Sequence, residues 1–329
     1  MTIRVFTGVK PTGRLHLGNY LGAIRPLLDL AADPDHEVLV CVADLHALTI
    51  EHDPVRLCRF SVELATTLVA CGLDPRARLF VQSSVPAHTE LSYLLESTAT
   101  HGEMARMVQF KEKSAGQESV RLSLLTYPAL MAADILAYQT DVVPVGDDQR
   151  QHLELTTTLA RRFNARYGEV FTVPRGVTPA ETARIRDLRD PQAKMGKSGA
   201  DGSGVVYLRD DPDTIAAKVR RAVTDADPGL SYDPARRPGV ANLATVLGAL
   251  TGTAPAEALA GLRGAAALKQ ALIDALVETL TPIQKRYQDL EDEPAELERL
   301  LRVGRDTVTP DALRTVARAR EAMGLFAVA

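Results

Sequence analysis

The sequence has few of the features that mark secreted, membrane-spanning or metal-stabilised proteins. Its cysteines, Cys41, Cys58 and Cys71, are widely spaced, odd in number and form no CxxC pair. This usage is typical of a reducing compartment and of small buried apolar residues, and it argues against a zinc site. The chain also shows no leader peptide and no apolar run near the ~20 residues of a membrane-spanning helix. We therefore expect a cytoplasmic protein with no membrane span.

Charge and glycine spacing exclude two further classes. The formal net charge is −4, so the molecule as a whole is not basic, and any nucleic-acid surface must be a local patch. The glycines never form the GxGxxG pattern, so a nicotinamide cofactor is not expected. At 329 residues the chain is long enough for about two domains with a large core.

The first part of the chain alternates between short apolar runs and amphipathic segments. The pattern predicts strands at residues 3–7, 38–42 and 79–81, and helices from about residue 16 to 30 and from about residue 54 to 71. A strand that is apolar on both faces indicates a parallel sheet. The fold class predicted is therefore α/β, with a Rossmann-like doubly wound parallel sheet whose ligand lies at the carboxyl edge of the strands.

The remainder of the chain is predicted to be mostly helical. Residues 88–167 form a helical insertion, with a charged interruption at 111–117 and a strand near 142–145, and the sheet resumes near 171–173. We expect a catalytic domain over residues 1–200 and a helical C-terminal domain over residues 201–329. Five cations of the second domain form either a basic face or an ordinary solvated helix surface: Lys218, Arg220, Arg221, Arg236 and Arg237.

Two short motifs carry the first chemical signal. His16, Leu17, Gly18 and Asn19 follow a strand and open a helix, where backbone amides are available to an anion. Helix capping alone would also explain them. The second motif lies in a glycine-rich loop and has two lysines three residues apart. Such a loop can bind a polyphosphate and release it again. The motif consists of Lys194, Met195, Gly196, Lys197 and Ser198.

A third signal lies on a predicted helix of the insertion. Tyr127, Met131 and Asp134 are spaced i, i+4 and i+7, which places them on one helical face. A carboxylate on this apolar stripe is costly without a partner. The partner is either a core arginine or amide group, or a ligand donor such as an indole N–H, because a carboxylate only accepts hydrogen bonds.

Together the two motifs resemble the HIGH and KMSKS signatures of class I aminoacyl-tRNA synthetases. With the helix that carries Asp134, nearly the whole chain resembles the bacterial tryptophanyl-tRNA synthetases. The resemblance implies ATP-dependent activation of L-tryptophan to tryptophanyl-adenylate and transfer to tRNA(Trp), with release of AMP and diphosphate. It also implies Mg²⁺ carried with the nucleotide, a homodimer formed through the insertion, and an anticodon-binding C-terminal domain whose last helix returns to the catalytic domain.

The same resemblance implies roles for individual residues. Catalysis is expected to involve Lys113, Lys194, Lys197, His16 and Asn19. Those expected to bind ATP are Lys10, Pro11, Thr12, Gly18, Asn19, Gly146, Asp147, Asp148, Ile185, Lys194, Met195, Gly196, Lys197 and Ser198. Those expected to bind tryptophan are Asp134, Tyr127, Met131, Gln149, Phe6 and His46. No metal-ligating cluster of the protein's own is expected.

Three positions depart from the family pattern. Lys10 stands where the tryptophan branch usually has Gln, Gly196 replaces the central Ser of KMSKS, and His16 stands where this branch more often has Thr. The departures at Lys10 and Gly196 leave one alternative open: the chain is a specialised or non-catalytic second copy of the enzyme that acts as a tryptophan- and ATP-binding regulator. A tyrosine-specific synthetase is the other alternative, and Asp134 argues against it.

Overall fold

Five parallel strands form the sheet of a computed structural model, which describes residues 2–116, 118–146, 149–177, 185–196, 202–225 and 229–326. The strands are β1 Ile3–Val9, β2 His36–Val42, β3 Arg78–Val81, β4 Val142–Pro144 and β5 Arg175–Val177. The helices up to the last strand are α1 Leu17–Asn19, α2 Arg25–Ala32, α3 Pro54–Ala70, α4 Ala87–Glu96, α5 His101–Ala105, α6 Val108–Ser114, α7 Leu122–Leu136 and α8 Arg150–Tyr167. Those after it are α9 Pro212–Arg220, α10 Pro238–Thr251, α11 Gly264–Asp292 and α12 Pro294–Ala322.

The order of the strands confirms the doubly wound sheet. It is β3-β2-β1-β4-β5, and every neighbouring pair is parallel. Adjacent side chains of the central strand β1 point to opposite faces, so Val5 and Phe6 belong to two different core clusters. From β1 the chain adds β2 and β3 on one side of this strand. It then returns and adds β4 and β5 on the other side of β1. The switch point between β1 and β4 is where such a sheet binds its ligand.

The helical segment after β1 is continuous from residue 17 to 32, as predicted, although it is not uniform. A π-helical turn, Tyr20–Ile24, separates α1 from α2. Pro26 lies in the first turn of α2 and has no N–H to give to the preceding turn, which accounts for the wider turn at this point.

Two predicted boundaries are wrong. Residues 171–173 do not form a strand, because side chains rather than a neighbouring strand satisfy their backbone: Asn164 bonds both the amide and the carbonyl of Phe171, and Gln139 accepts from the amide of Thr172. The last strand is instead β5. The charged interruption also begins later than predicted, since residues 111–114 continue α6. Lysine and glutamate are good helix formers on an exposed surface.

The five cations of the C-terminal half, for which a basic face was one of two alternatives, do not form one continuous basic face. Lys218 donates to Asp210 at 2.6 Å and to the Val205 carbonyl, and Arg237 is only 7% exposed and lies beside Asp225. Only three of the five cations considered above therefore remain available to form it. Separately, among the described helices none is long and apolar enough to cross a membrane.

The last helix, α12, packs across the parallel sheet. It contacts β3 and α4, and four of its buried residues belong to the same core cluster as Phe6 and Phe80. At Gly304 the helix touches the strand directly, because a Cβ there would lie 1.9 Å from the carbonyl oxygen of Leu79. Only glycine permits this approach without a shift of one element.

Candidate active site

A cavity of about 310 Å³ opens at the switch point of the sheet. Its walls come from the carboxyl ends of β1 and β4, from α7, and from the turn after β2. All six residues predicted to bind tryptophan line it: Phe6, His46, Tyr127, Met131, Asp134 and Gln149. Helical spacing brought three of them together on α7, while the parallel pairing of β1 with β4 brings Phe6 to the same place.

Asp134 is the buried carboxylate of this cavity, with 3% of its surface exposed. Its Oδ2 accepts from Nε2 of His46 at 2.8 Å, its Oδ1 accepts from Nδ1 of His88 at 2.5 Å, and Nε2 of Gln82 donates to both oxygens. Burial by itself would raise the pKa of Asp134, but the hydrogen bonds and charge of the two histidines outweigh it and lower this pKa to about 2. The group is therefore an ionised acceptor at neutral pH.

The structure also decides how the aspartate is stabilised. The predicted alternative of a partner amide is realised by Gln82, and the two histidines add to it. These contacts do not remove Asp134 from the cavity, which it still lines. A ligand N–H reaching it would therefore meet a carboxylate that is already held in place.

Tyr127 and Met131 form the same wall, two turns and one turn before Asp134 respectively. The hydroxyl of Tyr127 is hydrogen-bonded to His152, and burial raises the pKa of Tyr127 to about 12, so the ring stays neutral. The ring of Tyr127 meets His46 edge to face, with centroids 6.2 Å apart. These rings give the cavity flat, apolar sides suited to an aromatic ligand.

Two lysines line the same cavity. Nζ of Lys10 donates to Oγ1 of Thr49 at 3.3 Å, and Nζ of Lys113 donates to Gln109 at 3.0 Å and lies 5.9 Å from the ring centre of Tyr127. Burial and the nearby charge of Lys113 lower the pKa of Lys10. Two cations beside an apolar pocket can hold an anion close to an aromatic ligand.

The described residues of the two signature motifs pack against each other, and none of these residues lines the cavity. A Cβ placed on Gly18 would lie 3.1 Å from the ring of His16 and 3.7 Å from Cβ of Met195. Oδ1 of Asn19 accepts a hydrogen bond from the backbone N–H of His16, so these residues do make the helix-capping contact considered from the sequence. The amide of Leu17 donates to the Val206 carbonyl, which leaves fewer backbone amides for an anion than the sequence suggested.

The other residues predicted to bind ATP differ in how deeply they are buried. Ile185 and Met195 are 3% and 1% exposed, and the Met195 amide donates to the Ile185 carbonyl, so the lysine loop is anchored at its base. Lys194 is exposed, Thr12 and Gly146 are exposed, and Pro11 is buried. Gly196 is partly buried. Four predicted residues lie outside the described ranges: Asp147, Asp148, Lys197 and Ser198.

The family model for tRNA synthetases of class I (W and Y) matches residues 1–281 of this chain. Tryptophan-tRNA ligase 1 of Streptomyces coelicolor is 52% identical over 330 residues, which cover 98% of this chain and 97% of that protein. The chain belongs to this synthetase family. The tryptophanyl-tRNA synthetase structure from Mycoplasma pneumoniae is 37% identical with a TM-score of 0.87, and covers 99% of both chains.

A further synthetase structure, from Campylobacter jejuni, was solved with ADP and tryptophan. It is 28% identical to this chain, has a TM-score of 0.82, and covers 98% of this chain and 100% of that one. The TM-scores show that the overall fold is shared with these two synthetases.

Sequence reasoning missed several side chains of the synthetase cavity. Gln82 and His88 are both fully buried behind Asp134, and Thr49 and Gln109 hold the two cavity lysines. Gln82, His88 and Thr49 each reach a partner on a different element, so no local spacing indicates them. Gln109 and Lys113, in contrast, are spaced i, i+4 on α6, and this spacing could have indicated the pair. Among the described residues, no group of three or more His, Cys, Asp and Glu side chains is arranged to hold a metal ion.

Proposed function

We propose that this synthetase uses ATP to activate L-tryptophan to tryptophanyl-adenylate and then transfers the amino acid to tRNA(Trp), releasing AMP and diphosphate. The observation that most supports this is the single cavity that combines an ionised acceptor, Asp134, with aromatic walls and with Lys10 and Lys113. The indole N–H is a donor only, and Asp134 is an acceptor only. Related proteins named tryptophan-tRNA ligase support the same substrate.

The first step joins the amino acid to the nucleotide. An oxygen of the tryptophan carboxylate attacks the α-phosphorus of ATP, the bond from that phosphorus to the bridging oxygen breaks, and diphosphate leaves with its Mg²⁺. Negative charge grows on the phosphates during this step, and fixed cations stabilise it. We assign this task to Lys10, Lys113, Lys194 and Lys197. Gln149 is assigned to the ammonium group of the substrate.

The second step transfers the aminoacyl group. The 2′-hydroxyl of the terminal ribose of tRNA attacks the carbonyl carbon of the adenylate, and AMP leaves with the oxygen that joined it. We assign catalysis to residues 1–200 and anticodon binding to the helical domain of residues 201–329. His16 and Asn19, at the base of the nucleotide site, are assigned to the first step.

We further assign the helical insertion of residues 88–167 to the interface of a homodimer in the cytoplasm. Large apolar side chains on its surface support this assignment: Tyr93 and Leu122 are each 72% exposed, and Val108 is 52% exposed. Sedimentation velocity of the parent protein and of a Tyr93→Glu variant would test it. A parent protein that sediments as a monomer at micromolar concentration would contradict the dimer.

Charging of tRNA tests the whole reaction. The protein is incubated with unfractionated bacterial tRNA, Mg²⁺-ATP and labelled L-tryptophan, and acid-insoluble label is counted before and after ribonuclease. We expect label that requires ATP and is lost with ribonuclease. A folded protein that binds tryptophan and ATP but charges no tRNA would instead support the alternative of a tryptophan- and ATP-binding regulator. The departures at Lys10 and Gly196 are the reason for considering that alternative.

A further inference from the structure

Two buried side chains hold the tryptophan-binding carboxylate from behind. Nδ1 of His88, on α4, lies 2.5 Å from Oδ1 of Asp134, and Nε2 of Gln82, in the turn after β3, lies 2.7 and 2.8 Å from the two oxygens. Both His88 and Gln82 are 0% exposed, and neither lines the cavity. They therefore do not contact a ligand in the cavity directly, and their hydrogen bonds hold Asp134 from behind. His46, which bonds Oδ2, does line the cavity.

The ring of His88 is itself fixed on its far side. Its Nε2 lies 2.7 Å from the hydroxyl of Tyr138, which is 1% exposed. An ionised carboxylate only accepts, so Nδ1 of His88 donates to Asp134. The other ring nitrogen, Nε2, is hydrogen-bonded to the Tyr138 hydroxyl, which can donate or accept. A chain of hydrogen bonds therefore links Tyr138 through His88 to Asp134.

Aromatic packing leaves this chain little freedom. Tyr138 stacks on Phe6, with ring centroids 5.9 Å apart and an interplanar angle of 16°. Phe80 packs against both His88 and Tyr138, at 6.0 and 5.6 Å. Phe6 lines the cavity, so the rings that hold His88 continue into the wall that an indole would face.

We propose that His88, held by Tyr138, is a positioning residue for tryptophan selection: it fixes Oδ1 of Asp134 so that the carboxylate is presented to the indole N–H. His88 touches no substrate in this account. The orientation of an acceptor matters because a hydrogen bond weakens steeply as its angle departs from linear. This inference rests on the proposed function, since it concerns how the same cavity recognises its amino acid.

An analogue without the N–H separates positioning from packing. In L-3-(benzothiophen-3-yl)alanine a sulfur replaces the indole N–H, so the molecule has nearly the same shape and no donor. Amino-acid-dependent exchange of pyrophosphate into ATP is measured with tryptophan and with this analogue for the parent, His88→Leu, His88→Asn and Tyr138→Phe. Leu91→Ala changes a fully buried apolar residue on the same helix that cannot hydrogen-bond Asp134, and it is the matched control for lost stability.

Selective losses are expected. His88→Leu should lower kcat/KM for tryptophan about tenfold or more, because it removes the His88 donor from Oδ1 of the buried carboxylate, and for the analogue by less than about threefold. His88→Asn, whose amide nitrogen can replace Nδ1, should restore most of the tryptophan rate. Tyr138→Phe should give a smaller loss with the same selectivity. Leu91→Ala should lower the melting temperature without changing the ratio of the two substrates.

Equal losses for both substrates in His88→Leu would overturn the proposal and reduce His88 to a packing residue. Where His88→Leu does not fold, the Tyr138→Phe protein gives the same comparison, and an unchanged ratio there overturns it. A parent protein that activates no tryptophan would instead contradict the proposed function itself. The parent measurement thus distinguishes the two failures.

Discussion

Among single residues, Asp134 has the largest expected influence on substrate choice. Asp134→Asn replaces an ionised acceptor with a neutral amide. The amide NH2 group is a donor, and it would stand opposite the side chains that donate to the carboxylate in the parent protein. We expect a loss of about 1.5–3 kcal/mol in tryptophan activation, or about 10- to 150-fold in kcat/KM. The KM for ATP should change little. Pyrophosphate exchange measures both constants, and a variant as active as the parent would contradict the indole assignment.

Lys10 is the second residue with a specific prediction. It lines the cavity and lies close enough to Lys113 for that charge to lower its pKa. A positive charge that binds the ground state and the transition state alike changes KM without raising kcat. We expect Lys10→Gln to shift the apparent affinities for ATP or tryptophan more than turnover. The control is Lys111→Gln, which removes an exposed charge from α6 outside the cavity lining.

The opposite result would assign Lys10 a different role. Equal affinities with a large fall in kcat in Lys10→Gln would make it a residue that acts mainly in the transition state.

The site could be predicted residue by residue only where local geometry is decisive. Tyr127, Met131 and Asp134 follow from helical periodicity alone, which fixes their common face. Gln82 and His88 could not be found this way, because the packing of α4 against α7 and the course of the turn after β3 place them behind the carboxylate. The need for a partner was nevertheless evident, since a buried carboxylate without one is too costly.

At the scale of elements, the lysine loop carries the kinetic prediction. Among the described residues, a Cβ on Gly196 would come near the Lys194 carbonyl oxygen alone, at 3.7 Å, so these residues leave room for a serine. Ordering a glycine costs roughly 0.5–1 kcal/mol more than ordering a serine. We therefore expect Gly196→Ser to change the rate of adenylate formation only a few-fold. Lys197→Ala should cost about 2–4 kcal/mol, by analogy with loss of a preorganised donor.

Single-turnover adenylate formation checks this ranking, because it separates the chemical step from product release. If Lys197→Ala ran at the parental rate, the loop would not be the catalytic clamp, and a regulatory role for the protein would gain support.

The contact between α12 and β3 gives a stability prediction. Gly304→Ala would place a methyl group against the Leu79 carbonyl and push the helix from the sheet, so we expect a loss of about 1–3 kcal/mol or more in the free energy of unfolding. Gly22→Ala is the matched control, because a Cβ there meets nothing within 4 Å. Urea unfolding of both variants is the measurement. Equal midpoints would show that α12 does not pack this closely.

Element positions were predictable where apolar runs were long and less so at the edge of the sheet. The run at 38–42 is buried on both faces and became β2 as expected. Phe171, in contrast, gave an apolar signal without belonging to a strand. Its ring packs on Phe163 in the core, while the side chain of Asn164 hydrogen-bonds its backbone. The true last strand, β5, is exposed throughout and carries no apolar signal.

At the scale of the whole molecule, alternation of strands and helices was sufficient to predict a parallel sheet with its ligand at the carboxyl edge. The cavity at the β1/β4 switch point agrees with this expectation. The packing partner of α12 was not deducible from spacing, because periodicity identifies an apolar face without saying what covers it. In the fold this face lies on β3 and α4, the elements that bring Gln82 and His88 to Asp134.

The most direct test of the account is exchange of labelled pyrophosphate into ATP, measured with L-tryptophan and again with L-tyrosine. The account predicts exchange that depends on tryptophan and is near background with tyrosine, because Asp134 accepts an indole N–H within walls that fit an indole. Circular dichroism confirms that each sample is folded. Exchange with tyrosine at the tryptophan rate, or a folded protein with no exchange for either amino acid, would contradict it.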